Sequence, residues 1–281
     1  MKRACIYVLC VIFAVAGSLA SIYLGRGVPT GSAAAKNLLS LDDITTVLRA
    51  EGFHLLAYAG PPVASSELDG VSPQIYSDIN THGILYIYVF QSVSARIEPS
   101  GEGQLMVSLT KDNNLFPSFF PARNVLLVYA LPDQAPYLGQ PTAQNQWLQS
   151  LSDIAFRMNN GKVLIFRGEG NDWKAEVVYR YYEYWVPDPS GRLQYDSWND
   201  EDPQFIYKGS DLKKVAPIHF KCSLEASAES IGATETTDKN GFADLGAGFE
   251  ENGAQIRATD TIDVTINWDG KKESFSLRCR S

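Results

Sequence analysis

The sequence predicts three parts in series: a single N-terminal transmembrane helix, a small α+β domain, and an antiparallel Ig-like β-sandwich. Three observations carry that prediction. An uncharged run, Ala4–Gly25, follows Lys2 and Arg3. Helix-like and strand-like segments then mix up to about residue 160. Beyond that point short aromatic and β-branched runs alternate with Gly, Pro, Asn and Asp clusters, and helical periodicity disappears. The expected boundaries are 1–25 for the anchor, 26–37 for a linker, 38–160 for the α+β domain and 161–281 for the sandwich.

A membrane-crossing helix needs about 20 apolar residues to span a hydrocarbon core of ~30 Å. Ala4–Gly25 supplies them, and Lys2-Arg3 places the N-terminus in the cytoplasm. The competing reading is a cleaved signal peptide, with Ile6–Ala16 as its apolar centre and Ser18-Leu19-Ala20 as the cleavage site. Continuation of the run through "SIYLG" favours a retained anchor, and "YVLC" is a poor, early match to a lipidation site. Under either reading the bulk of the chain is exported, and the retained anchor makes this a single-pass membrane protein with its C-terminal region outside. "RGVPTGSAAAKN" (26–37) is small and aperiodic, as in a flexible linker.

In the α+β domain, Ser40 with Asp43 forms a capping-box pattern ahead of Ile44, Val47 and Leu48, with Gly52 as the stop. "FHLLAYA" (53–59), "GILYIYVF" (83–90) and "NVLLVYAL" (124–131) read as strands, the last apolar enough to be covered on both faces. A helix follows over 141–159, with Trp147, Leu148, Leu151, Ile154, Ala155 and Met158 on one stripe. Helices are expected on one side of the sheet.

In the sandwich the last segment is the most explicit. Ile262, Val264, Ile266 and Trp268 alternate, and Asp269-Gly270 suits a two-residue type I′ turn. That turn sets Val264 opposite Phe275 and Ile262 opposite Leu277. Alternation also points Cys222 and Cys279 inward, and an exported chain permits a Cys222–Cys279 disulfide.

"FRGEGNDWKAEVVYRY" and "VTINWDGKKESFSL" resemble stretches in uncharacterised secreted, lipid-anchored or membrane-anchored β-sandwich proteins of Firmicute-type bacteria. The matching positions are Gly168, Glu169 and Trp173, then Trp268, Gly270, Lys271, Glu273, Phe275 and Leu277. The resemblance implies an extracytoplasmic sandwich at a cell envelope and carries no activity. The insert "VPDPSGRLQYDSWNDEDP" departs from it, as does the cysteine pair.

The composition, 45% hydrophobic and 20% charged, excludes a disordered chain. The first 35 residues hold three cations (Lys2, Arg3, Arg26) and no anion, so the net charge of −8 concentrates to −11 over the rest. Such a region repels phosphate backbones, which argues against nucleic acid as a partner. His54, His82 and His219 are scattered and no cysteines fall as CxxC, so no metal or cofactor is expected. Asp196–Asp202, within "DSWNDEDP", reads as a solvated acidic loop without the spacing of a dedicated calcium loop. The best binding-surface candidate is Tyr179, Tyr181, Tyr182, Tyr184 and Trp185, whose rings suit a cell-wall glycan or an envelope protein; the alternative is a strand with one face in the core. No serine occupies a G-x-S-x-G elbow and no catalytic residue is assigned. The resulting expectation is a membrane-anchored binding or structural protein of the envelope rather than an enzyme. The alternatives are a cleaved, secreted glycan-binding module and an envelope hydrolase.

Overall fold

The computed structural model describes residues 38–60, 67–79, 81–97, 102–112, 114–132, 143–212, 215, 218–224, 230–235, 237–238, 240–244, 248–251 and 253–279. The expected anchor and linker lie outside these residues. Among the described residues no helix is long and apolar enough to cross a membrane.

Helix α1 (Leu41–Ala50) starts on the predicted capping box. Ser40 Oγ accepts from the Asp43 amide at 3.2 Å, and the Asp43 carboxylate accepts from the Ser40 amide at 2.8 Å. Such a cap contributes about 0.5–2 kcal/mol by satisfying amides that the first turn leaves open. The helix buries Ile44 and Leu48 against a five-stranded antiparallel sheet of order β1-β2-β3-β5-β4. Its strands are β1 (Leu55–Ala57), β2 (Gln74–Asp78), β3 (Ile84–Val89), β4 (Phe116–Ala122) and β5 (Val125–Leu131). Every residue of β5 is buried. Its odd positions face α1 and a long helix, α4 (Ala143–Met158), whose Leu151 and Ile154 are fully buried. Leu126, Val128 and Ala130 face the other way. They pack with Ala95 of α2 (Val93–Ile97), with Leu105 of α3 (Glu102–Val107), and with Leu109 in the π-helical turn Ser108–Asp112 that continues α3. Helical segments thus cover both faces of the sheet, not one. A β5 with no polar face requires that second cover.

The remaining strands form a second antiparallel sheet of order β10-β9-β13-β14-β6-β7-β8-β11, with β12 also on β8. They are β6 (Lys162–Glu169), β7 (Trp173–Pro187), β8 (Leu193–Tyr207), β9 (Ile218–Leu224), β10 (Ser230–Glu235), β11 (Phe242–Asp244), β12 (Gly248–Glu251), β13 (Thr261–Trp268) and β14 (Lys271–Cys279). Strands β8 and β9 stand five places apart in that order, yet the Phe205 and Phe220 ring centroids lie 5.0 Å apart. The sheet therefore curls over itself, as strand twist accumulated across many strands demands. Its inward side chains close one core, an arrangement compatible with a β-sandwich.

The β13–β14 hairpin has the predicted register, Val264 opposite Phe275 and Ile262 opposite Leu277. Asp269 and Gly270 take φ of +44° and +71°, the left-handed pair that a type I′ turn requires. The two motif stretches meet in space. Trp173 and Trp268 pack edge-on at 5.7 Å, and the Glu273 carboxylate accepts from the Asp172 amide at 3.1 Å, closing the β6–β7 turn. A Cβ on Gly168 would overlap the Ser276 carbonyl oxygen, so only glycine fits there. These motif residues are accounted for by packing.

Candidate functional site: the long hairpin

Strands β7 and β8 pair along their full lengths, from Trp173 opposite Tyr207 to Pro187 opposite Leu193. Successive side chains point to opposite faces, so the hairpin presents an odd-numbered and an even-numbered surface. Odd residues Trp173, Ala175, Val177, Tyr179 and Tyr181 enter the core of the curled sheet. Tyr179 Oη donates to Gln255 Oε1 at 2.9 Å and accepts from the Ile256 amide at 3.2 Å, fastening the 253–257 segment across the end of that core.

Even residues meet the α+β domain. Tyr182, Tyr184 and Val186 form a buried cluster with Val93, edged by Ile97 and Trp198. Arg96 pairs with Asp196, both side chains less than a tenth exposed, and Arg96 Nε donates to the Arg123 carbonyl at 2.7 Å. Burial alone would lower the Arg96 guanidinium, but the Asp196 charge and hydrogen bonds, with Tyr182 and Tyr184 adjacent, carry its pKa upward. Tyr184 Oη donates to the Asn159 carbonyl, and Ser94 Oγ donates to Gln194 Oε1 at 2.7 Å. Arg180 joins Asp200 on its own hairpin to Asp153 of α4 at 2.5 Å, and those hydrogen bonds, Asp200's first, raise its pKa. Its guanidinium lies 5.4 Å from the Phe156 ring centroid and 5.8 Å from that of Trp198.

Past the 253–257 segment, the odd face emerges at the hairpin tip. Trp185 and Tyr195 are cross-strand partners with centroids 4.6 Å apart. Trp185 is 36% exposed and Leu193 50%, and Pro187 is exposed beside them. Glu183 receives a two-pronged contact from Arg257, at 2.5 and 2.8 Å, which raises the guanidinium's pKa. Asp188 holds the turn by accepting from the Ser190 and Arg192 amides, both at 2.8 Å. The Ser190 hydrogen bond, foremost, pulls its carboxyl down to about 2.

The five predicted binding residues therefore do not form one exposed surface. Tyr179 and Tyr181 lie in the core, Tyr182 and Tyr184 in the seam between domains, and Trp185 alone is exposed. The tyrosines are buried because this strand is covered on both faces. Tyr195, the ring packed against Trp185, escaped sequence reasoning; opposition to Trp185 across the tip turn was the signal available.

The acidic segment Asp196–Asp202 is strand, not loop. Asp196, Asp200 and Asp202 share its even face, where Arg96 and Arg180 engage the first two and Gln204 Nε2 donates to the third at 3.2 Å. Among the described residues no three His, Cys, Asp or Glu side chains converge as metal ligands.

Cys222 and Cys279 are free thiols. Cys222 pairs with Val264, and Val264 pairs with Phe275, so β13 separates the two cysteines. Two strand spacings of ~4.8 Å and a four-residue offset of ~13 Å put them about 16 Å apart along the sheet, against the ~7 Å that a disulfide tolerates. Burial, then the charge of Glu201, pushes the Cys222 thiol up to about 12.

Elsewhere, Thr81 Oγ1 and Tyr129 Oη donate to Asp78 Oδ2 at 2.7 and 3.0 Å, but all three are buried and lock the β2–β3 turn. A shallow groove between α1 and α4, lined by Val47, Ala50 and Met158, is bridged by Arg157–Glu51 at 2.6 Å. No family model, curated protein or solved structure matches the chain.

Proposed function

We propose that this is a membrane-anchored extracytoplasmic protein of a bacterial cell envelope, with a binding or structural role rather than a catalytic one. The observation that carries the proposal is the uncharged Ala4–Gly25 run behind Lys2-Arg3. The side chains of the hairpin support it. Arginines and carboxylates of the seam are spent on one another, and what the hairpin offers outward is an aromatic and aliphatic tip. The proposal includes an N-terminal transmembrane helix and an Ig-like character for the second domain, which the packing of Phe205 on Phe220 across the fold supports. Partners are the bilayer through the anchor and an envelope glycan or protein.

Carbonate extraction of cells making the full chain tests the anchor. The protein is expected to stay with the membrane pellet, and protease added from outside should remove nearly all of it. A mature N-terminus at Ser21 in the culture medium overturns the anchor and leaves the secreted glycan-binding module.

A further inference from the structure

The hairpin tip presents Trp185, Pro187, Leu193 and Tyr195 on one face, beyond the segment that closes the sandwich core. Isolated exposed apolar residues are ordinary, but here they cluster at the end of a fifteen-residue two-stranded arm stiffened by burial on its other face. Charge follows the same plan. The Asp188 side chain is only 3% exposed and its carboxylate pairs with Nε of the 83%-exposed Arg192 at 3.0 Å. With Arg192 balanced by Asp188 and Glu183 by Arg257, the rings of the tip sit in a locally neutral patch of a chain whose net charge is −8.

The position of the tip relative to the chain's start narrows the occupant. Leu39, near the start of the described residues, donates its amide to Asn124 Oδ1 at 2.7 Å. The neighbouring Arg123 carbonyl accepts from Arg96, and Arg96 pairs with Asp196, next to Tyr195. Three contacts therefore connect this end of the domain to the even face of the arm, directly behind Tyr195. Leu38 beside it is itself 51% exposed. A chain of about 12 residues with the linker character the sequence predicts for 26–37 spans roughly 20 Å on average, so the proposed anchor would keep the tip within reach of the bilayer surface at an effective concentration of about millimolar. Trp and Tyr favour the membrane–water interface, where a ring is buried and its polar edge stays wet.

We infer that Trp185, Pro187, Leu193 and Tyr195 form a membrane-contacting ledge that docks the exported domains onto the lipid headgroup region. This rests on the anchor proposed above. The tether raises the local concentration, and the ledge fixes which side of the molecule meets the bilayer.

The test uses the full chain in phosphatidylcholine–phosphatidylglycerol proteoliposomes, with phosphatidylcholine brominated high on its acyl chains as a quencher. Comparing wild type with Trp185→Phe isolates one of five tryptophans, and lipid quenching reads out in either orientation of insertion. The expected result is a loss of fluorescence in wild type that W185F does not show. Leu193→Glu, at an exposed position, should abolish that loss while carbonate resistance persists. A carbonate-resistant wild type without the W185F-sensitive quenching overturns the ledge and leaves the anchor standing. Failure to resist carbonate overturns the anchor itself. A Trp185 emission shift with soluble wall-glycan fragments but not with lipid also overturns the ledge, in favour of a sugar site.

Discussion

Replacing Asp196 with Ala should be the most damaging single change in the seam. The Arg96 and Asp196 side chains are 6% and 8% exposed, so the pair sits in the low-dielectric space between α2 and β8. Removing the carboxylate leaves a buried guanidinium with the Arg123 carbonyl, at 2.7 Å, and no counter-charge. Breaking a buried pair from one side costs about 3–5 kcal/mol, against roughly 0–1 kcal/mol for an exposed pair. In urea, with a denaturant slope of about 2 kcal/mol/M, the midpoint should fall by about 2 M. The paired replacement Arg96→Met with Asp196→Leu removes both charges and fills the space. It should recover to within about 2 kcal/mol of wild type, the Arg123 carbonyl having lost one donor. Equilibrium unfolding of the three proteins, followed by tryptophan fluorescence and circular dichroism, decides the matter. A D196A loss under about 1 kcal/mol, or a double variant no better than the single, refutes the reading of this seam as a buried interface.

Glycine substitutions should separate backbone strain from steric conflict. Gly270→Ala, at φ +71° with open space around it, should cost about 1 kcal/mol, whereas Gly168→Ala, driven onto the Ser276 carbonyl, should cost at least twice that by thermal melting. Cysteine reactivity should follow burial. At pH 8 Cys279 is modified first, and Cys222, with its thiol near 12, alkylates on the order of 10³-fold more slowly than an ordinary thiol until the protein unfolds. Because burial favours the protonated thiol, that contribution to stability is complete below the ordinary thiol range and is lost as pH rises toward 12. Peptide mapping under non-reducing conditions that finds a Cys222–Cys279 bridge contradicts the register of β9, β13 and β14.

What was legible in the sequence was what short-range chemistry specifies. Ser40 and Asp43 are three residues apart, and the Asp269-Gly270 turn fixes its hairpin register from two adjacent residues, so both could be read directly. The errors came from partners distant in the chain. Asp196 and Asp200 looked like loop residues because the arginine that buries Asp196 lies 100 positions earlier and the covering Asp153 and Phe156 belong to α4. Alternation correctly assigned Cys222 to the interior, yet it carries no information about strand order, and the intervening β13 removed the disulfide. The aromatic run in β7 announced a strand with rings on both faces. Which face was free depended on α2 and α4, whose docking no local pattern encodes.

The two faces of the β7–β8 arm impose a particular rule on insertions and deletions. Even positions answer to the α+β domain and odd positions to the curled sheet or to the tip. A one-residue deletion between Trp173 and Val186 would exchange the two sets of β7 beyond it, turning Tyr182 and Tyr184 out of the seam and Glu183 into it. Length change of one residue is therefore penalised twice in the arms, while changes of two residues keep the phase but shift the Asp196 and Asp200 contacts by a full step. The turn around Gly191 packs against neither face, since a Cβ added there would meet no atom within 4 Å and its hydrogen bonds are local, to Asp188. Length variants of this protein should collect there and be excluded from the arms.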